Sequence, residues 1–235
     1  MKHIVPIEND LTDLRNEICQ MWKLVISQLE KAKQSFLNND LDIAREIISR
    51  EKRVDAFELK IDSDSENYIA LYNPRAIDLR LVLSLIKISN TLERIGDFAE
   101  GIARHVIKDE CVKISPQVIE ELQIEKMFDT VIAMLTGCFS ALESESVKIS
   151  GKILAMDEEV DSIYYSSIGI LTNYLQANPD LIWCGLNILL LIRKLERTGD
   201  HCSNIVEDIV FYIDAKVLKH GRKSTKSKTK NSELG

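Results

Sequence analysis

The string Leu92-Glu93-Arg94-Ile95-Gly96-Asp97 returns 103 residues later as Leu195-Glu196-Arg197-Thr198-Gly199-Asp200. Asn73-Pro74 returns as Asn178-Pro179 after 105 residues, and Arg53-Val54-Asp55 as Glu159-Val160-Asp161 after 106. Three landmarks in one order at a nearly constant offset mark an internal duplication. Whatever this chain folds into, it does so twice. A unit of this length can hold its own core, so the pattern predicts a pair of similar bodies and not a solenoid.

Each unit reads as three helices. Apolar residues recur at helical spacing from near Leu11 to Leu218. Breaks at Asn38-Asn39-Asp40, Asn73-Pro74, Ser115-Pro116, Ser144–Ser146 and Asn178-Pro179 divide the chain into helices over about 10–37, 40–70, 74–109, 116–143, 146–177 and 180–218. Asp40, Asn73, Ser115 and Asn178 are read as N-caps, the last three with proline in the first turn. With 9 Gly and 4 Pro in 235 residues there are too few breakers for a sandwich, barrel or propeller, or for a glycine-rich phosphate loop. The third and sixth helices are apolar on most of their circumference, through Ile77, Leu81, Leu83 and Leu85 in one and Leu186, Ile188, Leu189, Leu190 and Leu191 in the other. They are expected at the centre of their bundles. The fold class is therefore all-α, two tandem three-helix bundles over 8–112 and 113–218, followed by a tail over 219–235.

The net charge of −7 conceals a division. Six basic residues against Glu233 give the tail +5, leaving 24 basic and 36 acidic side chains, a net of −12, in the body. The tail is expected to be disordered. An acidic body of this kind repels nucleic acid and suits cations. The five cysteines form no close pair and read as reduced core thiols of a cytoplasmic protein. The apolar run Leu181–Ile192 is too short to span a bilayer.

Acidic pairs four residues apart occur in each unit: Glu51 with Asp55 and Glu93 with Asp97, then Asp157 with Asp161 and Glu196 with Asp200. Spacing alone says little, because random placement of 37 acidic residues would give about six such pairs and the chain has ten. Equivalent placement in both units is the informative part. Two adjacent helices would gather up to four carboxylates into one patch per unit, a donor set for hard divalent or trivalent cations. Glu100 falls about 20° from Glu93 on the helix and joins that patch. In the second unit Ser203 takes its place, with Asn204 and Glu207 on the same side. Gly96 and Gly199 are read as points of close helix approach, and Arg94 and Arg197 as salt-bridge partners in preference to anion binders. His201 is expected at the surface or as a cap, with ligation the alternative. No histidine follows a glutamate by three residues, so a ferritin-like di-iron site is excluded. No catalytic constellation is recognisable, and the chain is read as a non-enzyme.

The two L-E-R-x-G-D strings, with Asp78-Leu79-Arg80-Leu81-Val82-Leu83 upstream of the first and Asn204-Ile205 downstream of the second, resemble the PhoU family of phosphate transport system regulatory proteins. The likeness spans residues 8–218. It implies two bundles related by a pseudo-twofold axis, with metal ions, single or clustered (Fe, Zn, Mn, Mg or Ni), on E(D)-x-x-x-D motifs. Those motifs map to Glu51/Asp55, Glu93/Asp97, Asp157/Asp161 and Glu196/Asp200, supported by Asn204 and Glu207. It further implies a cytoplasmic negative regulator of phosphate uptake and phosphate-starvation signalling. Such a regulator links the ATPase subunit of the phosphate ABC importer to a sensor histidine kinase, meets the membrane only through partners, and commonly forms a homodimer. Gly101 and Arg104 stand in the first unit where Asn204 and Glu207 stand in the second. The second unit is accordingly expected to hold metal more tightly. A carboxylate-bridged metalloenzyme and a metal-free helical adaptor are the competing readings.

Overall fold

The computed structural model describes residues 7–108 and 114–215; the tail over 219–235, Cys111, His3 and His220 lie outside them. Every regular element among the described residues is helical: α1 (Ile7–Asn38), α2 (Leu41–Tyr72), α3 (Ala76–Ile107), α4 (Pro116–Glu121), α5 (Ile124–Glu143), α6 (Ser150–Ala177) and α7 (Ile182–Asp214), with a 3-10 turn over Pro179–Leu181. Helices α1, α2 and α3 pack on one another, as do α5, α6 and α7.

The expected breaks hold, but the chemistry differs at two of them, and one break was not expected. Asp40 caps α2 as anticipated, accepting from the backbone N–H groups of Asp42 and Ile43 at 3.0 Å each. Asn73 instead closes the end of α2 in the left-handed region (φ 48°), its N–H reaching the Ile69 carbonyl. Asn tolerates that conformation better than most residues. Helix α3 then starts beyond Pro74, at Ala76. Pro179 opens the 3-10 turn, and α7 follows it. The expected fourth helix over 116–143 is two helices broken at Gln123, which has φ 51°. Leu122 and Ile124 flank it and both are fully buried. Residues two apart point to opposite sides of a continuous helix, so the break lets both face inward.

Both bundles share one continuous core. They meet through α3 against α7 and α1 against α5. Trp22 of α1, fully buried, donates from Nε1 to the Leu135 carbonyl of α5 at 3.1 Å. Across the other seam Ser84 Oγ donates to the Asp208 carbonyl, and Lys87 pairs with the Asp208 carboxylate at 3.2 Å. The centrality expected of the third and sixth helices thus holds for α3 and α7, because each faces its own bundle and the other. Burial on all sides does not. Ile77, Leu83, Ile182, Trp183, Leu186 and Leu190 are exposed, since a third neighbour is missing along those stretches. Four cysteines are described as free thiols; Cys138, Cys184 and Cys202 are buried and Cys19 is half-buried.

Candidate metal centre

The acidic motifs fall where two neighbouring helices present one face each. In the first bundle Glu51 and Asp55 come from α2, and Glu93, Asp97 and Glu100 from α3. Burial is the main force on their titration. It raises the Glu51 carboxyl to about 7, reinforced by a hydrogen bond with Asp55 and by the charges of Asp55, Glu100 and Asp97. Glu93 also rises to about 7, through burial first and then Asp97, Glu58 and Asp55. Asp97 is raised by burial, Glu100 and Asp55, with Lys194 pulling the other way. These mutual effects bring all five predicted residues of the first unit into one patch. Glu58 belongs to it as well, beyond the predicted set; it stands one turn past Asp55 on the same face of α2.

The patch is partly neutralised by cations of the chain itself. Arg104 forms a salt bridge with Glu100 at 2.6 Å. From the second bundle Lys194 lies over Gly101, its Nζ 2.8 Å from where a Cβ on that glycine would stand. An ammonium there fills space that a side chain at 101 would take.

The second bundle is tighter. One carboxylate oxygen each from Asp157 and Asp161 of α6 and Asp200 of α7 lie within 4.8 Å of one another. No carboxylate trio of the first bundle converges to that degree among the described residues. Asp157 is only 5% exposed, and its Oδ2 accepts from Ser203 Oγ at 2.8 Å. Gly199 makes room for it: a Cβ there would stand 2.9 Å from Asp157 Oδ1. At the matching place in the first bundle, Gly96 faces Val54 and Gln28 at 3.3 and 3.4 Å. Glu196 is raised by burial and by the charges of Asp200 and Asp161, which places it beside the trio. Asn204 and Glu207 line an adjoining hollow of about 330 Å³ with Asp200, Ser203, Arg197 and His201. All six predicted residues of the second unit therefore border one region. Carboxylates in this arrangement, with a hydroxyl and an amide nearby and no thiolate, form an oxygen donor set of the kind hard cations take.

Three sequence readings change at the seam. His201 is neither a cap nor a surface residue; it is buried and stacks on Phe98 of α3, ring centroids 5.6 Å apart. Phe98 and His201 are equivalent positions of the repeat, so the two copies meet here through matching residues. Burial, then Arg94 and Arg197, depress the imidazole to about 4. Arg197 sits over the Phe98 ring at 5.4 Å, and among the described residues neither it nor Arg94 forms a salt bridge. Ser203 and Gln28 carry no site role on sequence grounds. A signal for Gln28 exists: it interrupts the apolar stripe Met21, Val25, Leu29 and Ala32 of α1.

The class that fold and site define is a duplicated all-helical bundle with carboxylates collected between paired helices. The PhoU domain matches residues 18–106 and again 124–209, and the chain belongs to the PhoU family. It is 31% identical over 220 residues to the phosphate-specific transport system accessory protein PhoU of Escherichia coli (strain K12), covering 93% of this chain and 90% of that one. The protein of the same name from Edwardsiella tarda is 30% identical over 211 residues, covering 90% and 86%. The crystal structure of PhoU from Pseudomonas aeruginosa superposes with a TM-score of 0.84 at 28% identity, covering 90% of this chain and 100% of that chain. These relatives are named as accessory proteins, not as enzymes. Among the described residues no helix is long and apolar enough to cross a membrane.

Proposed function

We propose that this protein is a metal-binding cytoplasmic regulator that restrains phosphate uptake and phosphate-starvation signalling. In that role it connects the ATPase subunit of the phosphate ABC importer to the sensor histidine kinase. Support for the transport role comes from relatives of matching length named as phosphate-specific transport accessory proteins. Support for metal comes from one observation above all, the convergence of Asp157, Asp161 and Asp200 within 4.8 Å. Asp157 is buried, Asp161 half-buried and Asp200 exposed; carboxylates this close repel one another unless a cation or protons intervene. Glu196, Asn204 and Glu207 would complete the second site, and Glu51, Asp55, Glu93, Asp97 and Glu100 a weaker first one. The bound ions would bridge these faces to phosphate groups or acidic partner surfaces. A homodimer is part of the reading, supported by the exposed apolar strip of Ile182, Trp183, Leu186 and Leu190.

Two experiments test it. Protein purified without chelator should carry a divalent or trivalent metal by elemental analysis, and Asp200→Ala should lower its content. Metal-free protein with unaltered partner binding in that variant would favour the metal-free adaptor. A pull-down under high phosphate should recover the importer ATPase or the kinase; recovery of neither would overturn the regulatory assignment.

A further inference from the structure

Gln28 of α1 is fully buried, and among the described residues neither its Oε1 nor its Nε2 has a hydrogen-bond partner. A buried primary amide with both ends unsatisfied forfeits its hydration without return and demands a cause. Its position supplies one. Contacts between antiparallel α1 and α2 set the register: Asp10 meets Tyr72, Glu17 meets Lys60, and Lys31 meets Glu46. Interpolation puts Gln28 abreast of the turn that carries Glu51. Toward α3, its Oε1 stands 3.4 Å from the point a Cβ on Gly96 would occupy. Gly96 is flanked by Asp97 and lies one turn from both Glu93 and Glu100. Gln28 Oε1 thus holds, against Gly96 and beside Val54, the place that Asp157 Oδ1 holds against Gly199 in the second bundle, and it comes from the one helix of the first bundle that carries none of the patch carboxylates.

Among the described residues, α5 of the second bundle offers no such group. The buried residues of α5 include no amide and no carboxylate, and that place is taken by Asp157 itself, held by Ser203. The first bundle has Glu100 where Ser203 stands, and Glu100 is engaged by Arg104.

We infer that Gln28 is a ligand-supplying residue of the first patch, its amide oxygen completing the coordination of a hard divalent cation held by the α2 and α3 carboxylates. This rests on the metal reading of these patches. A neutral donor suits the place. Amide oxygens coordinate such cations, and a further buried carboxylate there would add repulsion among groups already crowded. Gly96 keeps the approach open: a methyl group there would only just touch Oε1 at 3.4 Å, and a longer side chain would press on it.

The test uses full-length protein and Mn²⁺ as probe, followed by electron paramagnetic resonance. Asp157→Asn with Asp200→Asn silences the second patch, leaving the first to be read alone. Adding Gln28→Leu should weaken Mn²⁺ binding there about tenfold or more, while raising the melting temperature of the ion-free protein by removing an unsatisfied amide. Gln28→Glu should keep Mn²⁺ bound. Those opposite signs would not arise from a packing role. Unchanged Mn²⁺ affinity in Gln28→Leu overturns the assignment to Gln28 alone, as does a first patch that binds no Mn²⁺ while the wild type does. Absence of Mn²⁺ from the wild type as well overturns the metal reading with it.

Discussion

The two bundles carry the same acidic string and close it in different ways. In the second, Asp157 is buried, tied to Ser203, and converges with Asp161 and Asp200. In the first, the carboxylates are more spread, and Arg104 and Lys194 lean on them. Duplication therefore preserved the helical register but not the local charge balance. Residues outside the repeated motif decide how much uncompensated negative charge each copy holds: position 101 against 204, and 104 against 207. The first patch has partial compensation built into the chain, whereas the second concentrates negative charge around one buried aspartate.

The glycine before each motif aspartate offers the sharpest contrast. Gly199→Ala would set a Cβ 2.9 Å from Asp157 Oδ1. Asp157 is short and anchored at Ser203, so it cannot swing clear without losing that bond. We expect a loss of about 1–3 kcal/mol in urea unfolding, with weaker ion binding in the second bundle. Gly96→Ala meets Val54 and Gln28 at 3.3 and 3.4 Å. There the helix-propensity gain of alanine offsets most of the crowding, and stability should stay within about 1 kcal/mol of wild type. Equal losses in both variants would remove the asymmetry.

Cation removal should sharpen the first patch and leave the second alone. Arg104→Ala frees Glu100, and Lys194→Met removes the ammonium above Gly101. Each should raise Mn²⁺ affinity at the first patch about two- to fivefold, the scale of a partly exposed ion pair. Calorimetric titration in a background lacking the Asp157 and Asp200 carboxylates would check this; weaker binding would show that the cations organise the patch instead of competing.

A smaller effect lies in pH. The Glu93 carboxyl is raised to about 7 in the folded protein, against about 4.3 in an unfolded chain. The folded state holds the extra proton, so this contribution to stability is full below about pH 4.3 and is lost as pH rises through 7. Glu93→Gln, neutral throughout, should match wild type near pH 4 and exceed it by a growing margin up to pH 8 in ion-free urea titrations. A saturating divalent ion should erase the difference by stabilising the ionised wild type. The opposite sign holds at the seam: His201, depressed to about 4, contributes stability that is full above about pH 6.5 and is lost as pH falls toward 4.

The helical class, the duplication and the grouping of the carboxylates were legible because they rest on periodicity and equivalent placement. What escaped depended on tertiary neighbours. Gln123 has no breaker chemistry; only the need to bury both Leu122 and Ile124 turns the chain there. Asn73-Pro74 carries two valid signals, a helix end and a helix start, and the left-handed tolerance of Asn prevailed. His201 became a buried stacking partner because the packing of α3 on α7 sets it against Phe98, a contact between units that neither copy contains alone. Ser203 gained its role from a helix 46 positions earlier in the chain.

An Mn²⁺ titration of the full chain, read by electron paramagnetic resonance, decides whether the equivalent motifs form unequal cation sites with the second the stronger. Wild type should show a tighter and a weaker class of bound ion. Asp157→Asn with Asp200→Asn should abolish the tighter class, and Glu51→Gln with Glu93→Gln the weaker one. Loss of the tighter class in the first-bundle variant, or of neither class in either variant, would contradict the account.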